Sequence, residues 1–474
     1  MFVSLKFSLR ASEFALLYYL TNKAITMDKK QMELLQLKVL RPCGAAIDVG
    51  SIMMMVAYSD RNGNQHLMEV DAFTEDLRGL ADKLKAAGVV QVAMESTGMY
   101  WVVVYEILEE QGFKVTLVNA RHFKNVDGQK TDVKDCQWLH QLHAHGLLRA
   151  SHIAKENFRE LRSYLHERNT LQVQKSDTLN RIHKILTQMN VKVQHLISDI
   201  EGVAGMKLLR GIASGIHDPK KLLLLINVDR LKADKEELLK SLDGIYKRQF
   251  IVILQNYLKA YDFFKNQMQS YELLIEEVLK KLLVESASAN VPVIKPKRTA
   301  ARKNQYGINI QEYLKHIIGV DVTKMDGLDE ISVLEIISVT GLDMHKWPTA
   351  EHFTSWLNLS PRPKKSGGKT IGYEKRFTHN KATQSFRVAA QTMWQNRGAL
   401  GHLYRRLSAR KAAKKATKAV ARKLAIIFYN MIKNQTEYDK DRLRVNTERL
   451  QARKLAYLKK EARKYGYVLQ NETT

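Results

Sequence analysis

Phe158, Leu161 and Leu165, followed by Leu179, Ile182, Leu186, Met189, Val193 and Leu196, recur at alternating intervals of three and four residues. That spacing keeps one apolar seam on a helix and is the mark of a coiled coil, so this part of the chain is confined to long paired helices. A second series, Leu254, Tyr257, Tyr261, Phe264, Met268, Tyr271, Ile275, Val278 and Leu282, repeats the pattern. The two helices can pair as an antiparallel hairpin within one chain or between chains. Arg168, Gln172 and Lys175 fall in the same register in the middle of the first series. Polar residues there cost stability and fix register or contact something other than a helix.

Upstream the period changes. "CGAAIDVGSIMMMVAYSDRNGNQHLMEVDAF" reads as a strand, a turn at "RNGN" and a second, antiparallel strand. Residues 75–88 read as a helix, "VVQVAMES" as a third strand, "MYWVVVYEILEEQG" as a helix ending at Gly112, and "KVTLVNA" as a strand before another helix opens at "KTDVKDCQWLHQLHAHG". A hairpin followed by alternating strands and helices predicts a mixed sheet with helices packed on it. The predicted fold class is α/β plus mostly α. The boundaries read as an N-terminal extension over 1–43, with 1–26 lying ahead of an internal Met27, an α/β domain over 44–152, and the coiled-coil region over 153–284. A Pro-, small- and basic-rich linker over 285–307, a helical region over 308–440 and a basic tail over 441–474 complete the chain.

Charge narrows the partners. The chain of 474 residues has 76 Lys+Arg against 49 Asp+Glu, a formal net charge of +27, and a pI near 9.8, which points to a polyanion bound through its phosphates. Between Glu374 and Glu437 there is no acidic residue, while Arg387, Arg405, Arg406, Arg410, Lys414, Lys415 and Arg422 all fall in that span. Interleaved with Leu403, Leu407, Leu424 and Ile427, they predict a folded, phosphate-facing helical surface. On this reading the long helices are either a plain bundle core or an oligomerising or RNA-gripping arm. Cys43 and Cys136 are the only cysteines, without zinc or disulfide spacing, which fits a reducing, cytoplasmic compartment. The apolar run near the N-terminus is too short to span a bilayer.

Within this basic chain four carboxylates stand out. Asp132 and Asp135 are three residues apart, on one face of a helix. Two like charges so placed become favourable when a divalent cation sits between them. Asp48 lies inside the apolar strand "AAIDVGS" and Glu95 ends "VVQVAMES"; a buried carboxylate needs compensation. Strand ends of an α/β sheet sit close together, so the four can meet at one edge. Carboxylates in a phosphate-binding protein are the ingredients of two-metal phosphodiester chemistry, with two Mg²⁺ ions. The ordinary alternative is that Asp132 caps its helix and Asp48 closes a turn.

"AIDVGS", "ESTGMYW", "KTDVKDCQWLHQLHAHGLL", "LTQMNVKVQHLISDIEGV", "LNLSPRPKKSGGK" and "ALGHLYRRLSARKAAKKATKAVARKLAIIFYNMI", in this order over about residues 44–440, strongly resemble the DEDD transposases of the insertion sequence 110 family, 1111 group. The resemblance implies an RNase H-like, RuvC-type N-terminal domain, a coiled coil and a C-terminal transposase domain. It places the family's four acids on Asp48, Glu95, Asp132 and Asp135, and singles out Ser366, which by its chemistry alone is part of a flexible Ser-Gly-Gly turn. The matching serine attacks a DNA phosphodiester and is held as a covalent phosphoserine; Lys364, Lys365 and Lys369 flank it and would hold the phosphate. The family further implies a noncoding guide RNA from the element itself, DNA at element ends and target as substrate, and a homo-oligomer, dimer or tetramer, whose sites join one subunit's acids to another's serine. RNA would then occupy the basic surface and the polar heptad positions. Two other readings stand beside it: a RuvC-like metal-dependent nuclease acting by hydrolysis, and a non-catalytic nucleic-acid-binding coiled-coil protein.

Overall fold

The computed structural model describes residues 38–96, 98–119, 132–286, 292–295, 305–374, 380–410 and 412–469, with the side chains of Asp132 and of residues 441–450 outside that description. The proposed extension ahead of Met27 and most of the linker lie outside the described residues. The chain forms two compact units, Met1–His152 and Ile153–Thr474.

The first unit is mixed α/β. β1 (Gly44–Asp48), β2 (Met53–Ser59) and β3 (Gln65–Asp71) form an antiparallel meander. Helix α1 (Thr74–Ala86) leads to β4 (Gln91–Glu95), and α2 (Trp101–Glu110) leads to β5 (Lys114–Val118). β4 pairs parallel to β1 and β5 parallel to β4, giving the order β3-β2-β1-β4-β5. The single strand expected before "RNGN" is therefore two strands, β1 and β2. The reversal between them is a short Val-Gly-Ser-Ile stretch with apolar residues on either side, so no cluster of turn residues betrays it. β1 is central and buried on both faces, Ala46 on one and Ala45 and Ile47 on the other, which replaces the expected alternation with an apolar run.

Helix α3 (Asp132–Ala144) closes the unit. It lies on the sheet face that carries Ala46, Ala93 and Val118, burying Leu139 against them.

The second unit is mostly helical. Its spine is α4 (Glu156–Gln188), followed by α5 (Val193–Leu196), α6 (Val203–Ala213), α7 (Pro219–Leu223) and α8 (Lys235–Ser241), and then α9 (Arg248–Ser286). Lys281 reaches Glu160 at 3.3 Å and Arg168 reaches Glu272 at 2.8 Å, so sequence positions rise on one helix as they fall on the other. The two heptad seams thus meet within one chain, as an antiparallel hairpin about 50 Å long. The first seam is not one helix. Asn190 takes a left-handed backbone, φ 55°, which stops α4, and Val193 and Leu196 belong to the short α5 while packing on the same core as Ile182 and Leu186.

The polar heptad residues are also filled from within, which overturns RNA as their occupant. Arg168 is 2% exposed. Its guanidinium donates to Glu272 and to Gln172 Oε1 at 2.6 Å, and lies 3.9 Å from the Tyr306 ring centroid. The amide of Gly307 donates to the other Glu272 oxygen at 3.0 Å. Lys175 pairs with Glu201 at 3.0 Å, and Tyr261 donates to the same carboxylate. Charges taken from water must be fully paired, and these are. Arg168→Ala is expected to cost about 3–5 kcal/mol, because it strands the buried Glu272 charge, whereas a double Arg168→Met, Glu272→Leu variant recovers most of it; urea unfolding of the three proteins measures the difference.

Beyond the linker, α10 (Ile310–Ile318), α11 (Glu330–Thr340), α12 (Ala350–Trp356), α13 (Lys381–Thr392), α14 (Ala399–Arg410) and α15 (Ala413–Asn434) surround one core containing Phe353, Phe386 and Phe428. Helix α16 (Asp441–Lys464) follows. The region expected to be helical throughout also holds a two-stranded hairpin, β6 (Pro363–Ser366) and β7 (Lys369–Tyr373). Its strands are exposed almost everywhere and so carry no apolar alternation for a sequence reading to find.

Candidate functional site

The acids of the first unit are positioned by one helix laid against one strand. At the start of β1, His140 Nε2 lies 3.1 Å from the Gly44 carbonyl. One turn earlier in α3, the Cys136 thiol donates to the carbonyls of Ala46, at 3.5 Å, and Met55, at 3.1 Å. Helix α3 therefore runs antiparallel to β1, and each turn toward its N-terminus moves toward Asp48. Burial pushes the Cys136 thiol up to about 12, and the charge of Asp48 adds to the rise, which places that carboxylate beside the residue following Asp135. Asp48 ends β1 and is half-buried, while Glu95 ends the adjacent parallel strand and is 3% exposed. Since Ala46 pairs with Ala93, Asp48 and Glu95 sit two residues further along on the same face, the face α3 covers. Asp135 is half-buried in the first turn of α3, and Asp132 is its first residue, one turn beyond Cys136 in the direction of the strand ends.

Ser366 has a different setting. It is the last residue of β6 and pairs across the hairpin with Lys369. Gly367 and Gly368 between them have φ 53° and 77°, the two positive values that a two-residue type I′ turn requires. The flexible turn expected at this place is a defined one, and Ser366 stands at its strand edge rather than inside it. Ser366, Lys364, Lys365 and Lys369 are all exposed. Cross-strand partners emerge on one face with Cβ atoms roughly 5 Å apart, so the Ser366 hydroxyl and the Lys369 ammonium share a side.

Residues 45–191 match the IS110 DEDD transposase family, and residues 321–400 match the transposase family IS116/IS110/IS902. The chain carries transposase domains of the IS110 type. The first match spans all four acids and the second spans Ser366. No curated protein matches the chain.

DEDD transposases depend on a divalent metal, and the donors at the strand ends of this chain fit one. Among the described residues, the side chains that end β1 and β4 are carboxylates, the Cys136 thiol beside them is turned to the carbonyls of Ala46 and Met55, and His140 and His143 lie further along α3, which suits a hard cation such as Mg²⁺ over zinc. Among the described residues no three His, Cys, Asp or Glu side chains gather closely enough to hold an ion by themselves; the side chain of Asp132 falls outside them.

The imidazoles at the far end of α3 have a structural task. His143 is fully buried, and burial, followed by the charges of Arg41 and His140, holds it down to about 4. Burial lowers His140 as well. An unfolded chain protonates such a histidine near 6.5, so between these values the unfolded state binds more protons. Stability complete above about pH 6.5 is lost as pH falls toward 4, by about 2–3 kcal/mol at pH 4.5 from His143 alone. His143→Leu is expected to flatten that loss, as read by urea unfolding of the protein at pH 7 and 4.5.

Most of the cations expected on a phosphate-facing surface occupy exposed positions on the helices of the second unit. Arg387, Arg406, Arg410, Lys414 and Lys415 are exposed. Burial and the neighbouring Arg387 pull Lys418 below its usual range, which puts the cations of α13 and α15 side by side. Arg405 is exposed as well and donates with one guanidinium nitrogen to the carbonyls of Trp394 and Asn396, at 2.9 and 2.8 Å, whereas Arg422 is half-buried, its charge felt by Glu351. In the sequence Arg422 looks like any other charge of a one-signed run, and only its half-buried position sets it apart. Among the described residues, no helix is long and apolar enough to cross a membrane.

Proposed function

We propose that this protein is the transposase of an insertion element, a recombinase cutting and rejoining DNA by transesterification through Ser366 and guided by a noncoding RNA of the same element. The observation that carries the reading is the meeting of Asp48 and Glu95 at adjacent strand ends, on the face where α3 begins with Asp132 and Asp135. The order β3-β2-β1-β4-β5, antiparallel then parallel, supports an RNase H-like, RuvC-type domain. Asp48, Glu95, Asp132 and Asp135 would hold Mg²⁺, two ions on this reading; bound there, the metal supplies charge stabilisation for the phosphodiester oxygens and activation of the attacking oxygen.

The chain's own part is as follows. Ser366 Oγ attacks the phosphorus of one strand; the Oγ–P bond forms as the bond to the bridging oxygen breaks, the serine gives up its proton and the departing oxygen takes one up. Lys369, across the turn, and Lys364 and Lys365 neutralise the non-bridging oxygens. A hydroxyl of the incoming strand then attacks the phosphoserine and releases Ser366, which regains its proton. One phosphodiester is exchanged for another, so no ATP is consumed, and the chain has no GxxxxGK[ST] loop. Base pairing by the RNA reads sequence, while exposed cations such as Arg387, Arg406, Arg410, Lys414 and Lys415 hold backbone. The working form is a homo-oligomer, a dimer or tetramer, in the cytoplasm.

The test is to trap protein on labelled donor DNA with Mg²⁺ and the element's flanking RNA, then map the adduct by peptide mass. Phosphate on the peptide containing Ser366, formed only with that RNA and not with a scrambled one, is expected. Cleavage by water with no adduct would instead establish the hydrolytic, RuvC-like nuclease.

A further inference from the structure

Of the five tryptophans, Trp394 is the one on the surface, 58% exposed. It follows α13 in "MWQNRG", inside the segment that lacks acidic residues. A single exposed apolar side chain is ordinary by itself; what sets Trp394 apart is the rigid turn and the basic neighbours that present it.

The turn that presents it is fixed rather than loose. Met393, the preceding residue, is 2% exposed and anchored in the core. Arg405 of α14 binds the Trp394 and Asn396 carbonyls with one nitrogen, and Asn396 Oδ1 accepts from the Gly398 amide at 2.6 Å. A Cβ on Gly401 would lie 1.8 Å from the Asn396 carbonyl, so α14 can press on the turn only because that residue is glycine. Along α13 the exposed Gln384, Arg387 and Gln391 precede Trp394 at intervals of three, four and three, which lines them up along one helix face ending at the indole. Arg397 is exposed three residues further on. The result is a rigid, flat π surface with a guanidinium on either side along the chain.

We propose that Trp394 is a stacking platform for an unpaired nucleobase, with Arg387 and Arg397 holding the phosphates that flank it. The proposal rests on the nucleic-acid reading above and adds to it a contact that selects single strands over duplex, since every base offers a π face only when unstacked from its neighbours. The strand can be DNA opened during exchange or a loop of the guide; both present the same chemistry.

The test uses the full-length protein and fluorescence anisotropy on one mixed-sequence oligonucleotide prepared as single-stranded DNA, as single-stranded RNA and as duplex DNA. Trp394→Ala is expected to weaken single-strand binding about tenfold and duplex binding by less than about twofold, while Trp394→Phe keeps most of the affinity. Wild-type tryptophan emission is expected to fall on adding single strand, and that quenching to disappear in Trp394→Phe. Whichever single strand loses more affinity identifies the source of the base. Equal losses on single strand and duplex, no loss on single strand, or quenching that survives Trp394→Phe would each overturn the stacking site alone. A wild-type protein that binds none of the three would overturn the nucleic-acid reading along with it.

Discussion

Ser366→Ala is expected to abolish the covalent protein–DNA adduct and strand exchange, by roughly 10³-fold or more, because removing the nucleophile of a covalent mechanism leaves only binding and electrostatics behind. Thermal stability is expected to stay within about 1 °C of wild type, since an exposed hydroxyl at a strand end contributes little to packing. That combination separates lost chemistry from lost folding. A variant that still nicks DNA at wild-type rate would sink the serine mechanism and leave the hydrolytic one. Ser366→Cys gives a finer reading: its thiol stands on the same strand edge opposite Lys369, so residual adduct that becomes a phosphothioester would locate the attacking atom directly. Lys369→Ala is expected to act in the same direction but more weakly, because it removes charge from the phosphate without removing the bond-forming oxygen.

Asp48→Asn carries the second large effect and has a readout independent of catalysis. Millimolar Mg²⁺ is expected to stabilise wild type and not Asp48→Asn, because only a folded state with an intact ligand set gains from binding; tenfold saturation corresponds to about 1.4 kcal/mol. Strand cutting falls by roughly 10³-fold or more in the same variant if the ions stabilise the transition state by several kcal/mol, while DNA binding persists. An unchanged response to Mg²⁺ in calorimetry would remove Asp48 from the metal site. Glu95 is a poorer choice for this measurement: its side chain is almost entirely buried, and its replacement mixes packing with charge.

Much of the molecule is visible in the order of its residues. The intervals of three and four require two long helices with apolar seams, and the strand that Glu95 ends follows from a short β-rich run and its flanking turn, whereas Asp48 reads as the inside of a strand that in fact ends there. The acid-free stretch requires a one-signed surface, and the i, i+3 spacing puts Asp132 and Asp135 on one face. These are local properties, decided by repeat length and composition over ten or twenty residues. Tertiary structure decided the rest, because those outcomes depend on groups far apart in the chain. Only the antiparallel placement of α3 on β1, fixed by Cys136 against Ala46 ninety residues away, brings the first turn of α3 toward the edge where Asp48 and Glu95 end their strands. Only Glu272, Glu201 and Tyr306 decide that the cations of the heptad seam are locked inside and not offered to a ligand. A charge looks the same in a sequence whether it is solvated or paired; the energy that distinguishes the two comes from desolvation, and desolvation exists only once the chain has closed around it.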